Sequence, residues 1–170
     1  LQRAIHVLKY REPKQFLNSL NEVITKGFNN NNDESIRDGM DIALYNLDRT
    51  KMELTFTGAN NPLYIIRNGK LLVLKADKQP IGHYEGSQKF SEQTIALEKG
   101  DVIYSFSDGY ADQFGGPKNK KFKSSKFKEL LLSICLKPME EQKQILENTF
   151  YQWKGVNGQT DDVCVIGLRV

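Results

Sequence analysis

Two short groups of carboxylates at the tips of apolar runs are the residues best placed to do chemistry. Asp108 and Asp112 stand in Ser107-Asp108-Gly109-Tyr110-Ala111-Asp112, directly after Val102-Ile103-Tyr104-Ser105-Phe106. Asp161 and Asp162 stand in Gly158-Gln159-Thr160-Asp161-Asp162, directly before Val163-Cys164-Val165-Ile166-Gly167-Leu168. An apolar run bounded by Gly and Asp reads as a buried strand, so each group sits where a strand meets a loop. Desolvated carboxylates crowded at one sheet edge repel each other unless a cation neutralises them. If the two strands are neighbours, these oxygens make a site for a hard ion such as Mg²⁺ or Mn²⁺. Taken alone, the residues suit a turn at Asp108-Gly109 and a solvated loop at Asp161-Asp162 equally well.

The elements that must position these groups fit one domain over residues 1–170, a length sufficient for a core. Apolar residues at 39% and charged residues at 26% are ordinary for a globular protein, and a net charge of +3 does not by itself imply nucleic acid. No apolar stretch has the length of a membrane span or the form of a signal peptide. The two cysteines, Cys135 and Cys164, have apolar neighbours and read as buried thiols, which fits a reducing cytoplasm. Leu1, Ala4, Ile5 and Leu8 are spaced as in a helix with no capping residue before them, so the chain is expected to begin inside a helix.

Pro13 opens a helix with Phe16, Leu17, Leu20, Val23 and Ile24 on one stripe, followed by a polar loop from Asn29 to Ser35. Beyond it the period changes to that of strands. Asp48-Arg49-Thr50-Lys51 predicts one hairpin turn, and Asn68-Gly69, between two apolar runs, predicts a tighter one away from the carboxylate end. A strand is expected across 90–97, and Lys99-Gly100-Asp101 turns into the strand that ends at Asp108. Ser125 is expected to cap a helix carrying Phe127, Leu130, Leu131 and Ile134, and Pro138 to open another carrying Ile145, Leu146, Phe150 and Trp153, stopped by Gly155. A last strand runs from Val163 to Val170. Hairpins, a helical pair and one more strand predict an α+β layered β-sandwich flanked by helices.

The order of several short motifs carries a resemblance. Arg37-Asp38-Gly39-Met40-Asp41-Ile42-Ala43-Leu44 is followed by Gly58-Ala59-Asn60-Asn61-Pro62-Leu63 and Gln79-Pro80-Ile81-Gly82. Gly100-Asp101, Phe106 to Asp112 and Gln159-Thr160-Asp161-Asp162 complete the series. From about residue 13 onward the chain resembles the metal-dependent PPM-type serine/threonine phosphatases, in the bacterial branch of the sporulation stage II E and sigma-regulatory phosphatases. The resemblance implies a β-sandwich fold, a two-metal Mn²⁺ or Mg²⁺ centre, and a domain in a cytoplasmic signalling protein with a sensory domain upstream. It maps the metal ligands onto Asp108 and Asp161, with Asp112 at a weaker additional metal position and Asp162 supporting the loop. The family's Asp-x-x-Gly-His-Gly motif, whose Asp bridges the metals, is not in these 170 residues, and His6 and His83 have the wrong neighbours for it. The resemblance therefore implies the C-terminal portion of an N-terminally incomplete phosphatase domain, inactive alone, whose unpaired sheet edges favour a homodimer. It further implies a phosphoserine or phosphothreonine protein as substrate, such as an anti-sigma-factor antagonist.

Other features have plainer readings. Lys118, Lys120, Lys121, Lys123, Lys126 and Lys128, with Phe122 and Phe127 between them, either attract a phosphorylated or acidic protein or form a solvated flap, the simpler reading. No aromatic platform supports nucleic-acid binding. Phe150, Tyr151 and Trp153 read as helix packing, Pro80-Ile81-Gly82 as a turn and Asn60-Asn61-Pro62 as a bend between strands. Three function classes follow: a phosphoprotein phosphatase, a non-catalytic partner-binding module of the same fold, and a metal-dependent nuclease.

Overall fold

The computed structural model describes residues 12–29, 39–82 and 86–170. The expected helix at Leu1 to Leu8, most of the polar loop, Arg37-Asp38, His6 and His83 lie outside the described residues. The described elements are α+β, with antiparallel ladders and four helices, and they divide into two compact units. No helix among the described residues is long and apolar enough to cross a membrane.

The first unit takes in the described residues up to 63 and those between 74 and 97. Its helix α1 (Pro13–Asn29) buries Leu17 and Leu20 against Ala59, Ile81 and Phe90, with Phe16 and Ile24 beside them. Val23 is 57% exposed, because it lies at the margin of the stripe rather than on it. Strand β1 (Gly39–Met40) is followed by β2 (Ile42–Asp48) and β3 (Glu53–Ala59), which pair from Ile42↔Ala59 to Asp48↔Glu53. Their turn forms where expected: Asp48 Oδ1 accepts the amides of Thr50 and Lys51, a side chain mimicking a backbone turn. Later in this unit, Ile81-Gly82 forms a short strand paired with β1 instead of the expected turn. Asn18 accepts the Phe90 amide and Asn21 the Gly82 amide, so α1 supplies acceptors for both segments. The expected strand over 90–97 consequently shrinks to Gln93–Ala96, which pairs with β3. The bend at Asn60 forms through a left-handed residue (φ 55°) whose side chain donates to Asp41 at 2.8 Å.

The second unit holds residues 64–73 and 98–170. With the 81–82 and 93–96 strands counted as β6 and β7, its sheet is built from β4 (Leu63–Arg67), β5 (Lys70–Leu74), β8 (Val102–Phe106) and β11 (Val165–Arg169), in the order β11-β8-β4-β5. Asn68 and Gly69 both have positive φ (50° and 73°), the conformation a two-residue hairpin requires. Ile66 pairs with Val102, which puts this hairpin at the start of β8, opposite the end that leads to Asp108. A four-residue helical turn, α2 (Gly109–Asp112), follows β8, and helices α3 (Ser124–Ile134) and α4 (Met139–Lys154) complete the unit. Phe127, Leu131, Ile134, Leu146 and Phe150 from these helices pack with Tyr64, Tyr104 and Tyr110 in one aromatic-rich core. Burial pushes the Tyr104 and Tyr110 hydroxyls up, so both stay protonated and donate, to Gln142 Oε1 and to the Leu146 carbonyl.

Two expectations about helix ends differ in outcome. Gly155, at φ 55° and donating to the Tyr151 carbonyl, ends α4 as expected. Ser125 does not cap α3; the residue before the helix is Lys123, at φ 75° with no side-chain cap, held by its amide on the Ala111 carbonyl. Cys135 is buried, whereas Cys164 is exposed because it leads into the edge strand of its sheet.

Asp101, 1% exposed, anchors the far end of β8. Arg67 Nε and Nη2 hold its two oxygens at 2.9 and 2.7 Å, and the Glu98 amide donates to it at 2.9 Å. Burial alone would raise its pKa. The Arg67 hydrogen bonds, the Glu98 amide and the Arg67 charge outweigh that and hold the carboxyl below the ordinary carboxylate value. Asp101→Asn is expected to cost about 3 kcal/mol, because it breaks a bidentate buried pair and leaves the guanidinium without its main partner. A lowered carboxyl pKa stabilises above the unfolded value of about 3.9, and that contribution is lost as pH falls through the folded value. Urea unfolding of both proteins against pH should show the difference persisting at pH 7 and shrinking below about pH 4.

Candidate metal centre

The two carboxylate groups meet because β8 and β11 are neighbours, paired from Val165↔Phe106 to Arg169↔Val102. Ser107, the residue after β8, ties their ends together. Its amide donates to the Cys164 carbonyl at 3.0 Å, its hydroxyl donates to the Asp162 carbonyl at 2.7 Å, and the same hydroxyl accepts the Cys164 amide at 2.9 Å. Gly109 rests directly on the Asp161-Asp162 backbone, and a Cβ there would strike the Asp162 carbonyl oxygen. Only glycine permits that approach.

Asp108 precedes α2 in helical conformation (φ −72°, ψ −18°) and makes no capping bond with its own side chain. Asp161 accepts the Asp162 amide on Oδ1 at 2.7 Å, and its carbonyl accepts Gln159 Nε2 at 2.8 Å, which curls the loop beneath it. Asp162 supports the loop through its carbonyl on Ser107. Asp108, Asp161 and Asp162 are all exposed, which corrects the premise that they are desolvated.

Asp112, whose amide donates to the Asp108 carbonyl at 3.0 Å, has its carboxylate paired within the chain. Its Oδ2 lies 2.8 Å from Lys121 Nζ in a half-exposed ion pair. Among the described residues no group of three or more His, Cys, Asp or Glu side chains is gathered around one point. Asp108 and Asp161 carry oxygen donors of the kind a hard divalent ion takes, and together would supply a minority of its roughly six.

Lys121 belongs to a two-stranded ribbon that the sequence reading missed, β9 (Phe114–Gly115) with β10 (Lys120–Lys121). The turn residues Gly116, Pro117 and Asn119 between its strands were the available signal. The ribbon lies on Trp153: Gly116 donates to the Trp153 carbonyl at 2.8 Å, and a Cβ at Gly115 would strike that same oxygen. Several lysines of the basic run lie over aromatic faces, Lys126 at 4.0 Å from the Trp153 centroid and Lys128 at 5.4 Å from Tyr64. Of the three aromatics assigned to helix packing, Phe150 and Trp153 pack and Tyr151 is 65% exposed. Gln113, fully buried between Asp112 and the ribbon, is a further residue that no motif singled out.

The family model described as Stage II sporulation protein E (SpoIIE) matches residues 2–170. No curated protein sequence matches the chain. Among solved structures, the SiaA-PP2C domain of Pseudomonas aeruginosa superposes with a TM-score of 0.87 at 25% identity, over 99% of this chain and 65% of that one. The PP2C phosphatase domain with a regulatory fragment of SpoIIE from Bacillus subtilis gives 0.72 at 18% identity, over 99% of this chain and 47% of that one. The RsbU and RsbW domains of a Mycobacterium tuberculosis protein give 0.70 at 20% identity, over 98% and 45%. The last two bear on the fold alone, and the chain spans less than two thirds of each of these three structures. A fold shared with PP2C phosphatase domains, and a family match running through both carboxylate motifs, lead to one statement: the chain belongs to the SpoIIE family.

Proposed function

We propose that this chain is part of a metal-dependent phosphoserine/phosphothreonine protein phosphatase domain in a bacterial cytoplasmic signalling protein, with Asp108 and Asp161 holding an Mn²⁺ or Mg²⁺ ion. The observation that carries this reading is the meeting of the two motifs at Ser107, in a chain of the SpoIIE family. A crystal of the Bacillus subtilis SpoIIE phosphatase domain, 16% identical, was presoaked with Mn. A bound divalent ion would supply the charge neutralisation and water activation that phosphoester hydrolysis needs. The chain's own residues hold the ion and recruit the substrate. Asp108 is the ligand fixed by β8 and Asp161 the ligand fixed by β11. Asp112 joins them only when Lys121 releases it. Lys118, Lys120 and Lys123 in and beside the ribbon are exposed and attract a phosphorylated, acidic regulatory protein, an anti-sigma-factor antagonist in the sigma-regulatory setting. The edge strand β11, with Ile166 55% exposed, favours pairing with a further strand or a second copy.

The Asp112–Lys121 pair favours a second reading, a partner-binding module of the same fold without turnover. The two readings part on one experiment. In the full-length protein, Asp108→Asn and Asp161→Asn should each lower Mn²⁺-dependent phosphate release from a phosphopeptide by at least about 100-fold, the upper end of what outer-sphere changes cost. Both carboxylates are exposed, so the melting transition should stay within about 0.5 kcal/mol of the parent. Undiminished release in both variants removes these residues as ligands, and no release from the parent leaves the module.

Residues 1–170 alone should bind Mn²⁺ weakly and turn over little phosphopeptide, since two exposed carboxylates, one of them already accepting an amide, and water complete the coordination poorly. Calorimetric titration of that chain with Mn²⁺, run beside the hydrolysis assay, checks this. Tight uptake of two ions would refute it.

A further inference from the structure

Gln113 is the most completely buried polar side chain of the second unit, with no exposed surface, and it lies between the two carboxylate segments. A buried amide is stable only if its hydrogen bonds are made, and this one makes them across the site. Nε2 donates to the Phe114 carbonyl at 2.9 Å and the Gly158 carbonyl at 3.0 Å, while Oε1 accepts the Thr160 amide at 3.1 Å. The Gln113 backbone carbonyl accepts the Phe122 amide at 2.9 Å and Trp153 Nε1 at 3.0 Å. Asp112 directly precedes Gln113, and Asp161 directly follows Thr160. One side chain thus joins the segment carrying Asp108 and Asp112 to the loop carrying Asp161.

We propose that Gln113 is a positioning residue for the metal ligands: its amide locks the 158–160 loop onto the segment after α2 and sets where Asp161 stands relative to Asp108. This rests on the reading of Asp108 and Asp161 as ligands. The chemistry selects glutamine. Two carbonyls need donors and one amide needs an acceptor, and a planar carboxamide offers both on one group. Glutamate would turn an oxygen on the Phe114 and Gly158 carbonyls, asparagine is a methylene too short to span, and methionine fills the space with no polar partner. Among the described residues, 158–160 are otherwise held by a long contact from the Phe114 amide to Thr160 Oγ1 at 3.5 Å and the local Gln159–Asp161 bond, while Ser107 holds the Asp162 carbonyl beyond them. Outer-sphere groups that orient ligands in this way typically contribute 10–100-fold to metal affinity.

The test is Mn²⁺ titration of the full-length protein, followed by the electron paramagnetic resonance of the free ion, on parent, Gln113→Met and Asp161→Asn. Hydrogen exchange at the Thr160 amide is measured in parallel. Gln113→Met should weaken Mn²⁺ binding about 10-fold and speed exchange at Thr160. It should also raise the Mn²⁺ concentration for half-maximal hydrolysis, with kcat restored at saturating Mn²⁺. If Gln113→Met gives no cooperative melt, Gln113→Glu, which keeps an acceptor for Thr160 and loses both donations, is titrated instead. A folded Gln113 variant with parental Mn²⁺ affinity, beside a weakened Asp161→Asn, overturns the proposal, even if its melting temperature falls. Parental affinity in Asp161→Asn overturns the ligand reading itself.

Discussion

The antiparallel pairing of β8 with β11 is the constraint on which the candidate site depends, because it brings together two carboxylate-bearing segments from distant stretches of chain. The pairing is closed at both ends. At one end Gly100 donates to the Val170 carbonyl and Val170 to the Asp101 carbonyl; at the other, Ser107 makes three bonds to Asp162 and Cys164. A one-residue slip would turn every side chain of β11 to the opposite face and break both closures. Asp108 and Asp161 therefore need no contact with each other to stay together. Backbone bonds hold their segments, and the one bond to either carboxylate among the described residues is the Asp162 amide on Asp161 Oδ1.

The treatment of charge differs along β8. At its start, Asp101 is buried, and Arg67 meets it with two nitrogens while the Glu98 amide takes a further lone pair. At its end, Asp108 is exposed and has no capping bond. A buried carboxylate must be neutralised within the fold, so Asp101 cannot serve an outside ligand. An exposed one keeps its hydration and can exchange it for an ion. Asp112 stands between these cases, since its partner Lys121 is a half-exposed point charge that an incoming cation or phosphate can compete with.

Much of this was legible in the sequence, for reasons that differ by element. Asn68-Gly69 declares a hairpin because only residues tolerant of positive φ fit it, and Gly155 declares a helix end for the same reason. The carboxylate tips were legible because strand-loop boundaries have a composition. What was hidden has no periodicity. The Phe114–Gly115 and Lys120–Lys121 ribbon is two residues per strand, and Lys-Lys carries no strand signal. Ile81-Gly82 looked like a turn because its pairing partner, Gly39-Met40, is remote in sequence. Ser125 looked like a cap because a serine before an apolar stripe usually is one, yet the preceding Lys123 is fixed from outside by Ala111. The exposure of Cys164 follows from its place at a sheet edge, which local sequence does not encode.

Gln113 shows the same limit more sharply, and it shows what kind of object the site is. Its carbonyl takes the indole N–H of Trp153, the Trp153 carbonyl takes the Gly116 amide, and Asn157 donates to both the Phe114 carbonyl and Asn119. The C-terminal end of α4, the ribbon and the Asp161 loop are thereby bonded into one frame. Transmission of a signal through such a frame requires an element with two stable arrangements. Among the described residues no buried side-chain polar atom lacks a partner, so displacing the frame would break satisfied buried bonds. The exchangeable contact beside it is the half-exposed Asp112–Lys121 pair, where the arrival of an ion or a phosphate can change a bond without disturbing the core.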